Sequence, residues 1–82
     1  MTYEIEFKPE AIKDLKPLPK KAQRRIMDRI EALKEDLAGD VKKLTNYTPE
    51  YRLRVGDYRV LFEVESAKVI IYRIVNRKDA YQ

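Results

Sequence analysis

The side chains best suited to chemistry in this chain are arginines at short, regular intervals. Arg52 and Arg54 are separated by one residue, Arg59 follows five positions later, and Arg77 and Tyr81 stand near the C-terminal end. A guanidinium stays protonated, offers a planar fork of donors that fits phosphate oxygens, and stacks on bases. Such a set suits a ribose-phosphate backbone. The sequence contains no His and no Cys, which excludes imidazole acid–base chemistry, disulfides, thiolate metal sites and most zinc sites.

The charge is unevenly placed. The net charge is +4; residues 1–41 carry nine basic and nine acidic side chains, whereas residues 42–82 carry nine basic and five acidic. The excess in the second half points to a polyanionic partner there, against the plainer reading of a solvated basic surface. The 82 residues make one domain with a thin core, since a chain this small buries only about 60% of its unfolded surface. No large cofactor is expected, nor any small-molecule cofactor or metal. No apolar run reaches the roughly 20 residues that cross a bilayer. Met1-Thr2-Tyr3-Glu4 lacks the features of a signal peptide, so the cytoplasm is the expected compartment, with no membrane partner.

The elements that must position the arginines follow from periodicity. Tyr3, Ile5 and Phe7 alternate with Glu4 and Glu6, a half-buried strand. Pro9 opens a first helix with a stripe of Ala11, Ile12 and Leu15, and Pro17 and Pro19 end it. Ala22, Ile26, Ile30, Leu33 and Leu37 form one face of a second helix that Gly39 should stop. Residues 40–50 read as a polar loop. Three strand-like runs follow: Tyr51–Val55, Tyr58–Val64 and Val69–Val75. Gly56-Asp57 and Ser66-Ala67 are the connections, the first in the Gly-first order of a type II′ turn. The expected fold is α+β, in the order β-α-α-β-β-β, with a mainly antiparallel four-stranded sheet and a helical hairpin on one face.

The two-residue turn fixes a register. Val55 faces Tyr58, Arg54 faces Arg59, Leu53 faces Val60 and Arg52 faces Leu61. One sheet face is then wholly apolar and covers the helices; the other carries Arg52, Arg54, Arg59, Leu61 and Glu63. A directly opposed arginine pair destabilises a sheet by up to about 1 kcal/mol, so a sequence selected for stability alone avoids it. A phosphate-bearing ligand explains the cluster; neutralisation by Glu63 and tail carboxylates is the structural alternative. Continued through Ser66-Ala67, the same register puts Leu61 opposite Tyr72 and Arg59 opposite Ile74. The last run, apolar on both faces, is expected to be central, flanked by the N-terminal strand. Arg77, Lys78 and Tyr81 would curl back toward the arginine-bearing face.

The stretch Tyr51-Arg52-Leu53-Arg54-Val55-Gly56-Asp57-Tyr58-Arg59-Val60-Leu61-Phe62, preceded by Val41-Lys42-Lys43-Leu44, resembles the RelE family of bacterial and archaeal toxins, within the RelE/ParE superfamily. The resemblance covers essentially the whole chain. It implies a toxin paired with an antitoxin, which enters the ribosomal A site and cuts mRNA by attack of a ribose 2′-hydroxyl on the adjacent phosphate. It also implies a small RNase-like fold, with Arg52, Arg54, Arg59, Arg77 and Tyr81 at the catalytic positions. Lys42, Lys43 and Lys78 would contact RNA or the ribosome. The basic pair is Arg-Arg where name-giving members have lysines, so neither arginine is expected to serve as a general base, and Glu63 is a spare candidate. The two other readings are a ParE-like DNA gyrase inhibitor and a non-catalytic ribosome- or RNA-binding module.

Overall fold

Apolar side chains at helical spacing and apolar side chains at alternate strand positions meet in a single layer of contact. The computed structural model describes residues 1–79. Its elements are β1 (Glu4–Phe7), α1 (Pro9–Leu15), α2 (Lys20–Ala32), β2 (Val41–Lys43), β3 (Tyr51–Val55), β4 (Tyr58–Glu65) and β5 (Lys68–Asn76). The strands form one sheet in the order β1-β5-β4-β3-β2, with β1 parallel to β5 and the other pairs antiparallel. Ala11, Ile26, Ile30 and Leu33 pack against Leu53, Val55, Val60, Phe62, Val69, Ile71 and Ile74, all buried. Each fully buried aliphatic or aromatic side chain contributes about 1.5–3 kcal/mol. Tyr51 stacks on Phe62 with ring centroids 5.3 Å apart, closing the β3 end of the core.

The helical hairpin is tied by one amide. Pro9 begins α1, where its missing N–H costs nothing. The carbonyls at the end of α1 lack helical partners, and Gln23 of α2 supplies donors: its Nε2 lies 3.0 Å from the Leu15 and Leu18 oxygens and 3.1 Å from that of Lys16.

The structure departs from the periodicity in three places. First, α2 ends at Ala32, well before Gly39. The following residues turn to pair with the N terminus instead: Tyr3 N–H donates to the Lys34 oxygen and Asp36 N–H to that of Met1. Asp36 and Leu37 take left-handed φ values of 54° and 57° to make that exit. Leu37 still packs against the core, so its spacing extends the apolar stripe beyond the end of the helix.

Second, the sheet has five strands rather than four, because part of the expected 40–50 loop is a strand. Val41, Lys42 and Lys43 pair with Leu53, Arg52 and Tyr51. Three residues with one half-buried position among them are too few for alternation to register.

Third, the β4–β5 register slips by one. Pairing runs as expected from Glu65–Lys68 to Phe62–Ile71, and then Leu61 faces Arg73 and Arg59 faces Val75, in place of Tyr72 and Ile74. Tyr72 is the extra residue of a β-bulge. The cause lies beside β5. Once β1 ends, the Lys8 N–H takes the Ile71 oxygen and α1 runs along that edge. Asp14 of α1 then accepts the Ile74 N–H at 2.9 Å and grips Arg73 bidentately, at 2.7 Å from Nε and 3.0 Å from Nη2. One carboxylate thus satisfies an edge N–H that β1 is too short to reach and holds the side chain that the bulge re-aims.

Asp14→Ala is therefore expected to cost about 2 kcal/mol, since it removes charge-assisted hydrogen bonds around a mostly buried carboxylate. The chemical-denaturation midpoint measures it, and the amide of Ile74 should lose hydrogen-exchange protection selectively.

Candidate nucleic-acid interface

The turn after β3 sets the geometry of the site. Gly56 has φ +57°, as the first position of a type II′ turn requires. A Cβ there would sit 2.9 Å from Nη1 of Arg25, which reaches over from α2. With only Gly56 and Asp57 in the loop, Val55 pairs with Tyr58, Arg54 with Arg59, Leu53 with Val60 and Arg52 with Leu61. The expected hairpin register is the observed one. Leu53, Val55, Val60 and Phe62 face the helices, so Arg52, Arg54 and Arg59 project from the opposite, open face.

Each arginine is held differently. Arg54 is exposed and has no side-chain hydrogen bond or ion pair among the described residues. Arg59, directly across from it, is turned along the hairpin: its Nη1 donates to the Gly56 oxygen at 2.8 Å and the Tyr58 oxygen at 2.9 Å. Those two carbonyl dipoles offset the repulsion between opposed guanidiniums. The Arg52 side chain is only 14% exposed; its Nη1 donates to the Asp40 oxygen at 3.1 Å and lies 3.4 Å from that residue's carboxylate. Arg77 follows β5. Its N–H donates to the Asp57 oxygen at 2.8 Å, and its exposed guanidinium has the Asp57 carboxylate at 3.9 Å. The hairpin tip thus gathers Arg59 and Arg77, while β2 and the residue before it secure Arg52.

The remaining candidates divide. Lys42 is exposed and in register with Arg52, which puts it on the same open face. Lys43 points the other way, 3.6 Å from the Glu50 carboxylate and over the Tyr51 ring at 6.0 Å. Lys78 lies in the turn after β5, where its N–H donates to the Asn76 side chain. Tyr81 lies outside the described residues. Glu63 is on the open face, and its carboxylate accepts the Glu50 N–H at 3.1 Å.

The open face is electrically divided along the strands. Register places Glu4, Glu6, Glu63 and Glu65 at one end around Lys68, which is 3.1 Å from Glu6. The hydrogen bond to Glu6, then its charge, raises the Lys68 pKa. Arg52, Arg54, Arg59 and Arg73 occupy the other end. Arg73 was not among the sequence candidates, because only the bulge brings it to this face. Its pKa is raised by the hydrogen bond to Asp14, so it remains a cation. Leu61 lies between Arg52 and Arg73 in register and is 4% exposed. An anionic strand meets attraction at one end of this face and repulsion at the other, which fixes where along the sheet it can lie.

Known proteins carry the same architecture. Residues 5–81 match the family model for the ParE toxin of type II toxin–antitoxin systems, parDE. Toxin RelE3 of Methanocaldococcus jannaschii is 37% identical over 82 aligned positions, covering 94% of this chain and 93% of that protein. The toxin in the RelB–RelE antitoxin–toxin complex from Methanococcus jannaschii superposes with a TM-score of 0.77 at 35% identity, covering 93% of this chain and 94% of that one. The archaeal RelE–RelB complex from Pyrococcus horikoshii gives 0.79 at 32% identity, covering 98% and 100%. Fold and sequence together define the class, a toxin of a type II toxin–antitoxin system. The chain belongs to the RelE family of such toxins, within the RelE/ParE superfamily.

Gly56→Ala tests the turn that organises the site. A left-handed φ costs a non-glycine residue about 1–2 kcal/mol, and the added methyl must also displace Arg25. The variant is expected to lose at least that much stability by denaturant titration, with the Arg59 side chain losing its hold on the Gly56 oxygen.

Proposed function

We propose that this toxin is a ribosome-dependent mRNA endoribonuclease that inhibits translation by cutting mRNA in the A site. The observation that carries the reading is the opposed pair Arg54–Arg59, with Arg52 and Arg77 beside it, on the side of the hairpin turned away from the helices. In the reaction, the RNA supplies its own nucleophile. The 2′-oxygen attacks the adjacent phosphorus and the bond to the 5′-oxygen breaks, leaving a cyclic phosphate and a free 5′-hydroxyl. Negative charge grows on the non-bridging oxygens as the nucleophile closes in. Fixed guanidiniums aimed at those oxygens stabilise the transition state without reorganising at the moment of reaction.

The way Arg59, Arg77 and Arg52 are held supports the following assignment, while Tyr81 keeps the role that the family resemblance implies. Arg59, braced on two carbonyls, takes the non-bridging oxygens. Arg77 stabilises the phosphate or the leaving oxygen. Arg52 and Arg54 hold the backbone on either side, and Tyr81 stacks on a base or relays a proton. Lys42, Lys43 and Lys78 contact ribosomal RNA without sequence choice. A guanidinium stays protonated and cannot accept the 2′-hydroxyl proton, so in-line geometry imposed by the ribosome has to supply much of the rate. A cognate antitoxin is the natural partner, given that two similar toxins were solved bound to RelB. An acidic antitoxin segment over the arginine end of the face would silence it, in the cytoplasm where both are made.

Programmed ribosomes mixed with the purified protein should yield mRNA cuts at the A-site codon, while the same mRNA without ribosomes stays intact. Rapid degradation of naked RNA would refute ribosome dependence. The ParE-type reading is favoured by the family model that matches; gyrase-linked DNA breaks with no mRNA cuts would establish it. Ribosome binding without cleavage would mark a non-catalytic module. Arg59→Ala should abolish growth arrest on expression while the protein keeps its folded circular-dichroism spectrum.

A further inference from the structure

A second basic surface lies outside the sheet. Lys21, Arg24, Arg25 and Arg29 are exposed on α2, and none of them makes a side-chain hydrogen bond or ion pair among the described residues. They line a groove of about 700 Å³ between α2 and the β3–β4 turn, whose floor includes Ile26, Val55 and Tyr58. Asp28 and Asp57 are the acidic residues in its lining.

Three features set this surface apart from an ordinary solvated helix face. The first turn of α2 holds Lys20 and Lys21 and no acidic residue. Cations there face the positive end of the helix dipole, which stability alone disfavours. Lys21, Arg25 and Arg29 recur every four residues, which stacks them along one side of the helix at intervals of about 6 Å. That interval is close to the separation of successive phosphates on a nucleic-acid strand. Finally, the surface is continuous with the arginine face, because the Arg25 guanidinium lies against Gly56 on one side of the turn while Arg59 holds the Gly56 oxygen.

We propose that the Lys21–Arg25–Arg29 ridge, with Arg24 beside it, is a second binding site for an RNA backbone, reached by a strand that leaves the arginine face around the Gly56-Asp57 turn. Half-buried Tyr58, at the turn, offers a ring on which a base can stack as the strand passes. The direction of the strand comes from the reading of the sheet face as an RNA site, and the inference rests on that reading.

The test uses two single-stranded RNAs, 2′-O-methylated so that they cannot be cut: one long enough for the sheet face alone and one that also reaches α2. The wild-type protein should bind the longer strand more tightly and with a steeper salt dependence. The triple variant Lys21→Gln/Arg24→Gln/Arg29→Gln should lose that gain, with the log-affinity against log-salt slope falling by about 2. It should bind the short strand as before and melt close to wild type, since Lys21 opposes the helix dipole in the first turn of α2 while Arg29 favours it in the last, and the two effects offset. Equal affinity and slope for the longer strand in both proteins would overturn the proposal. So would unchanged RNA binding together with lost binding of a glutamate-rich amphipathic peptide, which would make the ridge a protein-docking site. A ridge that binds RNA in a protein that makes no cuts on programmed ribosomes would leave this inference standing and remove the nuclease reading.

Discussion

The two-residue turn Gly56-Asp57 is the constraint on which the site depends. A loop one residue longer or shorter would shift β4 by one position and, because side chains alternate with period two, would exchange its faces. Val60 and Phe62 would then point to solvent and Arg59 into the core. The apolar contact of those residues with α2 and the arginine cluster on the far side are one fact seen from two sides. Gly56 makes the short loop sterically possible, and the turn's carbonyls and carboxylate then hold Arg59 and Arg77.

The cluster is electrostatically costly, and the surrounding structure offsets the cost locally. Arg59 is drawn from Arg54 by two carbonyl oxygens, Arg52 by Asp40, Arg73 by Asp14 and Arg77 by Asp57. Of these five arginines, Arg54 alone is left without such a partner among the described residues. The four tethers differ in strength. The Asp14–Arg73 pair is bidentate and ties α1 to β5, whereas Asp57 and Arg77 are both largely exposed and their contact is long, so it contributes little stability and yields readily to a stronger anion. This ranking orders the guanidiniums by how free they are to meet a phosphate: Arg54 first, then Arg77, with Arg59 and Arg52 braced in place.

Much of this was legible in the sequence, and the reasons for the rest are specific. The hairpin register followed from Gly56-Asp57 and from apolar residues at alternate positions, which together admit one pairing. The open-face positions of Arg52, Arg54 and Arg59 came with it. The helical stripe over Ala22–Leu33 was equally plain, but Leu37 extended it falsely, because a residue in a turn can pack on the same core as the helix before it. β2 was too short to alternate. The bulge at Tyr72 had no local signal at all: it depends on Asp14, 59 residues away from Arg73 in the chain, and with it the arrival of Arg73 on the basic end went unseen. The α2 ridge was hidden by the balanced charge of residues 1–41, and only the approach of Arg25 to Gly56 connects it with the sheet. The candidate Tyr81 lies beyond the described residues and contributes nothing to the geometry argued above.

The central claim is that the opposed arginine pair is kept for binding and not for stability. Arg54→Gln tests it most directly, by measuring the denaturation midpoint and ribosome-dependent mRNA cleavage on the same preparation. The account predicts that the variant is more stable, by a few tenths to about 1 kcal/mol, and cleaves more weakly. A variant that is less stable, or that cleaves as well as the wild-type protein, would contradict it.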